Sequence, residues 1–165
     1  MGSRLKGKVA AITGAGRGIG RGIAILMASE GAAVVVNDLG VNLDGQGRDT
    51  SAADETVAEI KAAGGEAVAN HESVADYRAA EHIIEAAVSA FGRIDILVNN
   101  AGILRDRMVF NLSEEDFDAV IAVHLKGTFN CSRHAAVRMR EQKAGRIISM
   151  SSTSGLYGNP GQANY

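Results

Sequence analysis

The chain has 165 residues, a length that suits one domain. Its formal net charge of −2 gives no broad attraction to nucleic acid or to an anionic membrane, so neither partner is expected. No apolar run reaches the roughly 18 residues that a membrane span needs. The single cysteine, Cys131, excludes a disulfide within this chain and suits a reducing compartment. We therefore expect a soluble, cytoplasmic protein with Cys131 in its core.

The first predicted elements are a strand, a glycine turn and a helix. An apolar run at Val9–Thr13 predicts the strand, and a helical pattern continues to about Ser29. Between them, glycine occupies alternate positions, at Gly14, Gly16, Gly18 and Gly20. Glycine lets the backbone approach a ligand closely, and the start of a helix presents unpaired N–H groups to an anion. The arrangement predicts a diphosphate-binding site.

The spacing of the turn distinguishes two known signatures. The pattern G-x-G-x-x-G fails, because Ile19 stands where its third glycine should be. The pattern T-G-x-x-x-G-x-G fits, and here the chain resembles the short-chain dehydrogenases/reductases. That resemblance implies cofactor binding by Thr13, Gly14, Arg17, Gly18, Ile19 and Gly20. A glycine-rich loop without a ligand remains the alternative at this motif alone.

The second strand, predicted at residues 33–37, ends in Asp38, 18 residues after Gly20. An acidic residue at about this distance accepts hydrogen bonds from the adenosine ribose hydroxyls. A 2′-phosphate would meet like charge there, so Asp38 favours NAD over NADP as the cofactor. Arg17 is a weaker signal in the opposite direction, because its guanidinium could face a phosphate.

The alternation of strands and helices continues along the chain. Helices are predicted at residues 50–63 and 76–91, and strands at 66–70 and 93–98. This pattern predicts an α/β fold with a doubly wound parallel sheet, and the family resemblance implies the Rossmann-type strand order 3-2-1-4-5. By resemblance, the turn after the third strand contacts adenine through Glu72, Ser73 and Val74. The second family signature follows the fourth strand and implies cofactor contacts from Asn100, Ala101 and Gly102.

A long helix is predicted over residues 113–141. It starts with a capping box in which Asp116 follows Ser113 by three residues. Its apolar positions exceed what one sheet face needs. In the family the equivalent helix packs against a second subunit, which implies a homodimer or homotetramer. A helix buried within its own domain is the alternative.

The fifth strand, predicted at residues 145–150, leads to Ser152, and Tyr165 follows 13 residues later. The family carries its catalytic serine and tyrosine at this separation. The resemblance implies that Ser152 holds the substrate oxygen and that Tyr165 exchanges a proton with it. A tyrosine has a reference pKa of about 10, and a nearby cation helps it to act as a base. The family supplies a lysine four residues later, so we expect a single NAD-binding domain of residues 1–165, truncated at Tyr165, with its last strands missing and its catalysis poor.

One position departs from the family pattern. His124 stands in the long helix where the family has an asparagine that supports a proton relay. It is either a third catalytic residue beside Ser152 and Tyr165 or a satisfied core histidine. The other histidines show no metal-ligand spacing, and we expect no metal.

Several strings resemble one subgroup, the (3R)-hydroxyacyl-CoA dehydrogenase domain of the type 2 peroxisomal multifunctional enzymes and its bacterial relatives. They are residues 34–40, residues 67–70 with 73–74, residues 99–107, residues 123–125, and residues 155–159 with 161–165. The subgroup implies NAD-dependent oxidation of a (3R)-3-hydroxyacyl-CoA, and a peroxisomal location if the source is eukaryotic. The alternatives are a 3-oxoacyl-carrier-protein reductase or a steroid or alcohol dehydrogenase. A non-catalytic nucleotide-binding scaffold is an alternative of another class.

Overall fold

A computed structural model describes residues 2–47 and 49–165 of the chain. Its centre is a parallel sheet of five strands in the order β3-β2-β1-β4-β5. The strands are β1 (Val9–Thr13), β2 (Ala33–Asn37), β3 (Glu66–Asn70), β4 (Ile96–Asn99) and β5 (Arg146–Ser149). The predicted doubly wound sheet and its strand order are confirmed.

Helices cover both faces of this sheet. They are α1 (Gly18–Ser29), α2 (Ser51–Ala62), α3 (Tyr77–Phe91), α4 (Glu114–Ile121), α5 (Gly127–Gln142) and the short α6 (Thr153–Tyr157). A 3₁₀ turn at Val109–Asn111 precedes α4. Sequence periodicity predicted neither this turn nor α6, because both are too short to show a repeat.

The prediction of one long helix over residues 113–141 is corrected in one respect. A π-helical turn, Ala122–Lys126, separates α4 from α5 and contains His124. Such turns are single-turn features inside a helix, and the spacing of the apolar residues did not reveal this one. At the start of α4, the Oγ of Ser113 accepts the N–H of Asp116 at 3.1 Å, as a capping box requires. The Asp116 carboxylate, however, pairs with Arg105.

The fourth strand starts at Ile96, later than the predicted residue 93. The intervening turn is held by the buried Asp95 carboxylate, which accepts the Val9 N–H at 3.0 Å and the Arg93 Nε at 2.8 Å. Burial raises the pKa of Asp95, but the hydrogen bonds from Arg93 and Val9 outweigh it and leave the pKa below its ordinary value. The Asp95 side chain therefore adds to the backbone hydrogen bonds that its own N–H donates to the Val9 carbonyl at 2.9 Å and that its carbonyl accepts from the Arg146 N–H at 2.8 Å.

Two apolar clusters, one on each face of the sheet, form the core. One packs the sheet against α3 and α5 and includes Val35, Ile83 and Leu97. The other packs it against α1 and α2 and includes Val34, Val36 and Ile60. Because β2 is covered on both faces, its sequence is continuously apolar. Cys131 lies in the first cluster as predicted, and burial raises the pKa of its thiol to about 12.

Within residues 2–47 and 49–165, every helix is too short or too polar to cross a bilayer.

Candidate cofactor and catalytic site

The two family signatures form one hydrogen-bonded unit at the carboxyl edge of the sheet. The Oγ1 of Thr13, at the end of β1, accepts the backbone N–H groups of Asn100 and Ala101, each at 3.0 Å. In return the Asn100 Nδ2 donates to the carbonyls of Thr13 at 2.9 Å and Gly14 at 3.0 Å. Thr13 is buried, so its side chain serves this junction between β1 and β4.

The glycines of the turn divide into two kinds. A Cβ at Gly14 would lie 2.8 Å from the Ala101 Cα, and one at Gly20 would lie 2.1 Å from the Gly14 oxygen. These glycines allow the turn to pack closely. Gly18 has a φ of +53°, and its Cβ would meet no atom within 4 Å. Gly18 therefore leaves open space in front of the first turn of α1.

The start of α1 suits an anion. Arg17 occupies the N-cap position with an extended backbone, and no side chain of the described residues caps the helix. Gly18 and Ile19 are exposed at this helix start. Uncapped N–H groups and the positive end of the helix dipole favour a phosphate at this position. The residues present fit the diphosphate that the sequence predicted.

Asp38 is fixed at the tip of β2 by two backbone donors. Its Oδ2 accepts the Gly16 N–H and its Oδ1 accepts the Gly40 N–H, both at 2.8 Å. A Cβ at Gly16 would lie 2.9 Å from the same Oδ2, so only glycine permits this approach. Each carboxylate oxygen keeps a further acceptor site for a ribose hydroxyl. Arg17 forms an ion pair with Asp49 across the turn.

The three residues predicted to contact adenine have different surroundings. The Glu72 carboxylate lies 3.6 Å from His82, and the Ser73 Oγ accepts the Ala75 N–H at 3.2 Å. Val74 is buried in the core cluster against α3 and α5. Its carbonyl accepts the Nδ2 of the buried Asn130 at 2.9 Å, a contact that sequence analysis missed. The Asn130 side chain thus stabilises the turn of residues 72–74.

The predicted catalytic residues lie in the part of the chain after β5. Ser152 is half-buried, and its Oγ accepts the Ser154 N–H at 3.2 Å, which caps α6. Tyr165 is 37% exposed, and its backbone N–H donates to the Gln162 carbonyl at 3.2 Å. The Tyr165 ring meets the His124 ring edge to face, with centroids 5.0 Å apart.

His124 lies between the second signature and Tyr165. Its Nε2 is 3.0 Å from the Ile103 nitrogen and 2.9 Å from the Ile103 oxygen. Depending on the tautomer, this Nε2 either accepts the Ile103 N–H or donates to the Ile103 carbonyl. A Cβ at Gly102 would lie 2.5 Å from the imidazole Cε1, so the ring packs directly on this glycine. The structure thereby joins three predicted site residues in one contact series.

A set of polar contacts that sequence analysis missed holds the segment before Tyr165. The Arg107 N–H donates to the Gly161 carbonyl at 2.8 Å, and the Asn164 Nδ2 donates to the Arg105 carbonyl at 2.9 Å. The Gln162 amide donates to the Asp106 carboxylate at 2.9 Å. These partners are more than 50 residues apart in sequence, and no local pattern shows such a pairing.

Among the residues that the structure describes, no group of three or more His, Cys, Asp or Glu side chains could hold a metal ion.

Comparison with known proteins agrees with this geometry. The family model described as short chain dehydrogenase matches residues 8–165. The chain belongs to the short-chain dehydrogenase family. A solved short chain dehydrogenase from Mycobacterium avium superimposes with a TM-score of 0.88 at 55% identity, over 98% of this chain and 57% of that one.

Curated relatives carry names from fatty acid metabolism. The chain is 56% identical to peroxisomal multifunctional enzyme type 2 of Drosophila melanogaster, over 98% of this chain and 27% of that protein. Its mouse counterpart is 52% identical, over 98% of this chain and 22% of that protein. A 3-oxoacyl-[acyl-carrier-protein] reductase of Synechocystis is 45% identical, over 98% of this chain and 62% of that protein. The chain thus spans about a quarter of the multifunctional relatives.

Proposed function

We propose that the protein is an NAD-dependent oxidoreductase that oxidises a (3R)-3-hydroxyacyl-CoA to the 3-ketoacyl-CoA. The observation that carries this proposal is the arrangement of residues at the carboxyl edge of the sheet. There the glycine turn is bonded to Asn100, and the contact series from Gly102 through His124 ends at the Tyr165 ring. A cofactor site and a proton-exchanging phenol are thereby brought to one edge of the sheet, where parallel α/β sheets bind their ligands.

The chain's own residues would hold the dinucleotide along this edge. Backbone N–H groups at Gly18, Ile19 and Gly20 would donate to the diphosphate, and the Asp38 carboxylate would accept hydrogen bonds from the adenosine ribose hydroxyls. Residues 72–74 would contact the adenine. The small residues Ala101 and Gly102 leave room beside β4. When bound, the nicotinamide ring of the cofactor supplies the acceptor for a hydride from the substrate carbon.

The charges around Asp38 support NAD over NADP. A 2′-phosphate at this position would face the fixed Asp38 carboxylate, which already points both oxygens along defined directions. Arg17, a cation of the glycine turn that could attract such a phosphate, pairs with Asp49. Like charge at close range disfavours the phosphorylated cofactor.

Tyr165 and Ser152 have different roles at the substrate oxygen. As the C3–H bond of the alcohol breaks with loss of its hydrogen as hydride, the hydroxyl proton passes to the phenolate form of Tyr165 and the C=O bond forms. The Ser152 hydroxyl donates a hydrogen bond to the substrate oxygen and holds that oxygen in place. His124 supports this arrangement by packing against the Tyr165 ring.

Relatives at 52–56% identity named as peroxisomal multifunctional enzymes support the acyl-CoA substrate. A relative in Neurospora crassa, named a peroxisomal hydratase-dehydrogenase-epimerase, is 52% identical. The second candidate is a 3-oxoacyl-carrier-protein reductase, supported by the Synechocystis relative. We place the protein in the cytoplasm of a bacterium, or in the peroxisome of a eukaryote.

A substrate panel on the full-length protein tests the proposal. NADH formation from NAD and (3R)-3-hydroxyacyl-CoA, with little from the 3S epimer, is the expected result. Consumption of NADPH with 3-ketoacyl thioesters would favour the reductase. Cofactor binding without turnover of any substrate would favour a nucleotide-binding scaffold.

A further inference from the structure

We propose that Arg105 is a positioning residue that couples the loop after Asp38 to the segment that carries Tyr165. The inference rests on the proposed function, because it concerns how the cofactor site and the catalytic tyrosine are held together. It is based on contacts that Arg105 makes in three directions.

The first direction is toward the loop of residues 39–47. The Arg105 Nε donates to the Asp44 carbonyl at 2.8 Å, and the neighbouring Leu104 N–H donates to the Leu43 carbonyl at 2.7 Å. The same loop begins at Asp38, whose Oδ1 accepts the Gly40 N–H at 2.8 Å. Arg105 therefore holds the loop that starts at the proposed ribose-binding carboxylate.

The second direction is toward Tyr165. The Arg105 carbonyl accepts the Asn164 Nδ2 at 2.9 Å, and Asn164 is only 5% exposed. The same amide lies 3.4 Å from the carbonyl of Asp116. Because Asn164 immediately precedes Tyr165, this contact fixes where the catalytic segment lies.

The third direction is toward Asp116, at the start of α4. The Arg105 guanidinium pairs with the Asp116 carboxylate at 2.8 Å, with both side chains largely buried. The hydrogen bond between them raises the pKa of Arg105 and lowers the pKa of Asp116. The pair holds the first turn of α4 beside Arg105, so that both carbonyls face the Asn164 amide.

Arginine is suited to this position. Its planar guanidinium donates in fixed directions, here to a carbonyl on one side and a carboxylate on the other. A lysine at the same position carries one compact ammonium and cannot reach both partners in the same geometry. The coupling predicts that a cofactor fragment bound at Asp38 also orders the Tyr165 segment, and that the effect is reciprocal.

Hydrogen exchange on the full-length protein, with and without ADP, tests the coupling. ADP represents the adenosine diphosphate half of the cofactor. In the wild type, ADP should slow exchange in residues 39–47 and also in residues 161–165. In Arg105→Ala, ADP should slow exchange in residues 39–47 only. Arg107→Ala is the matched control, because its guanidinium donates to the adjacent Asp106 carbonyl, and it should behave as the wild type.

Activity gives a second readout. We expect Arg105→Ala to lower kcat by about 10- to 100-fold, since small misplacement of a catalytic group has effects of this size. Arg105→Lys should not restore it. If Arg105→Ala does not fold, Asn164→Leu breaks the same connection at its other end and should give the same loss of protection in the Tyr165 segment.

The outcomes distinguish a failure of the Arg105 coupling from a failure of the proposed function. ADP protection of residues 39–47 without protection of residues 161–165 in the wild type would overturn the coupling and leave the proposed function standing. Persistent protection of residues 161–165 in Arg105→Ala would also overturn it. No protection at residues 39–47 in the wild type would contradict the proposed cofactor site, and the coupling with it.

Discussion

The imidazole of His124 stands edge-on to the phenol of Tyr165, with ring centroids 5.0 Å apart and an interplanar angle of 82°. The opposite contact of the imidazole is Gly102, in the signature that follows β4. A side chain in the middle of a helical region thus connects the proposed nicotinamide side of the site to Tyr165. His124 lies in the π-helical turn between α4 and α5.

Tyr165→Phe tests the proton exchange. The variant keeps the ring that packs on His124 but lacks the oxygen, so cofactor binding should be unchanged while kcat falls by about 10²- to 10⁴-fold. Rates of NADH formation and an NAD titration measure the two effects. Tyr157→Phe, a change at a strongly exposed tyrosine, is the matched control. Equal rates for Tyr165→Phe and the wild type would exclude Tyr165 as the proton-exchanging group.

The contact between Gly102 and His124 predicts a coupled pair. Gly102→Ala places a Cβ 2.5 Å from the imidazole Cε1 and should cost about 1–3 kcal/mol of unfolding free energy, together with activity. In a His124→Ala background the same change should cost much less, because the clashing ring is absent. Urea unfolding of the four proteins measures the difference.

Gly22→Ala is the control for the comparison of Gly102→Ala with and without His124. Its Cβ would meet nothing within 4 Å, and it lies inside α1, so the change should stabilise by up to about 1 kcal/mol. A Gly102→Ala cost that is the same with and without His124 would refute the contact.

Asp38→Asn tests the cofactor preference. The asparagine keeps the shape of the side chain but removes the negative charge and one of the two oxygens that accept the Gly16 and Gly40 N–H groups. Because the charge acts only on the phosphorylated cofactor's extra group, affinity for NADP should rise by about tenfold relative to NAD. Dissociation constants for both cofactors give the ratio. Asp44→Asn, in the same loop, should leave the ratio unchanged. An unaltered ratio in Asp38→Asn would remove the electrostatic basis for NAD selection.

Asp95 predicts a pH dependence of stability. Its pKa in the folded state lies below the ordinary value. The stabilisation is therefore fully present above the unfolded-state pKa of about 3.9 and is lost as the pH falls toward the folded-state pKa. Asp95→Asn should lower the unfolding free energy near neutral pH by about 1.5–3 kcal/mol, and the gap to the wild type should narrow in acid.

Urea unfolding at neutral and acidic pH measures that gap. The exposed Asp54 offers the control, and Asp54→Asn should differ little from the wild type at either pH. A gap between wild type and Asp95→Asn that widens on acidification would contradict the assignment.

The long helical region predicts self-association. Leu125 is 66% exposed and Phe129 is 59% exposed, and these two residues lie one helical turn apart. We propose that they pack against a second copy of the chain. Phe129→Glu should shift the protein to monomers in sedimentation experiments, whereas Leu43→Glu, at an exposed leucine in the loop of residues 39–47, should not. A wild type that sediments as a monomer would contradict this proposal.

Much of the fold could be predicted from the sequence, because local chemistry determines it. The bounds of β1 and β2 follow from apolar runs that end at Thr13 and Asn37, and the structure confirms both. The spacing of the glycine turn was also readable, and the structure shows that a Cβ at Gly14, Gly16 or Gly20 would lie within 3 Å of another atom.

The missed features depend on contacts between distant segments. The turn before β4 is held by the Asp95 carboxylate, which accepts the Val9 N–H from 86 residues away. The π-helical turn around His124 is a single turn inside a long helical region, and the spacing of the apolar residues did not reveal it. The contacts of Arg105 with Asp44 and Asn164 join three loops, and only the folded chain brings them together.

Isotope transfer tests the central claim most directly. The full-length protein is incubated with NAD and a (3R)-3-hydroxyacyl-CoA that carries deuterium at C3, and the products are analysed by mass spectrometry. Direct hydride transfer predicts NADH that contains one deuterium and a 3-ketoacyl-CoA that has lost it. Turnover that yields NADH without deuterium, or an acyl-CoA left unchanged while NAD is bound, would contradict the account.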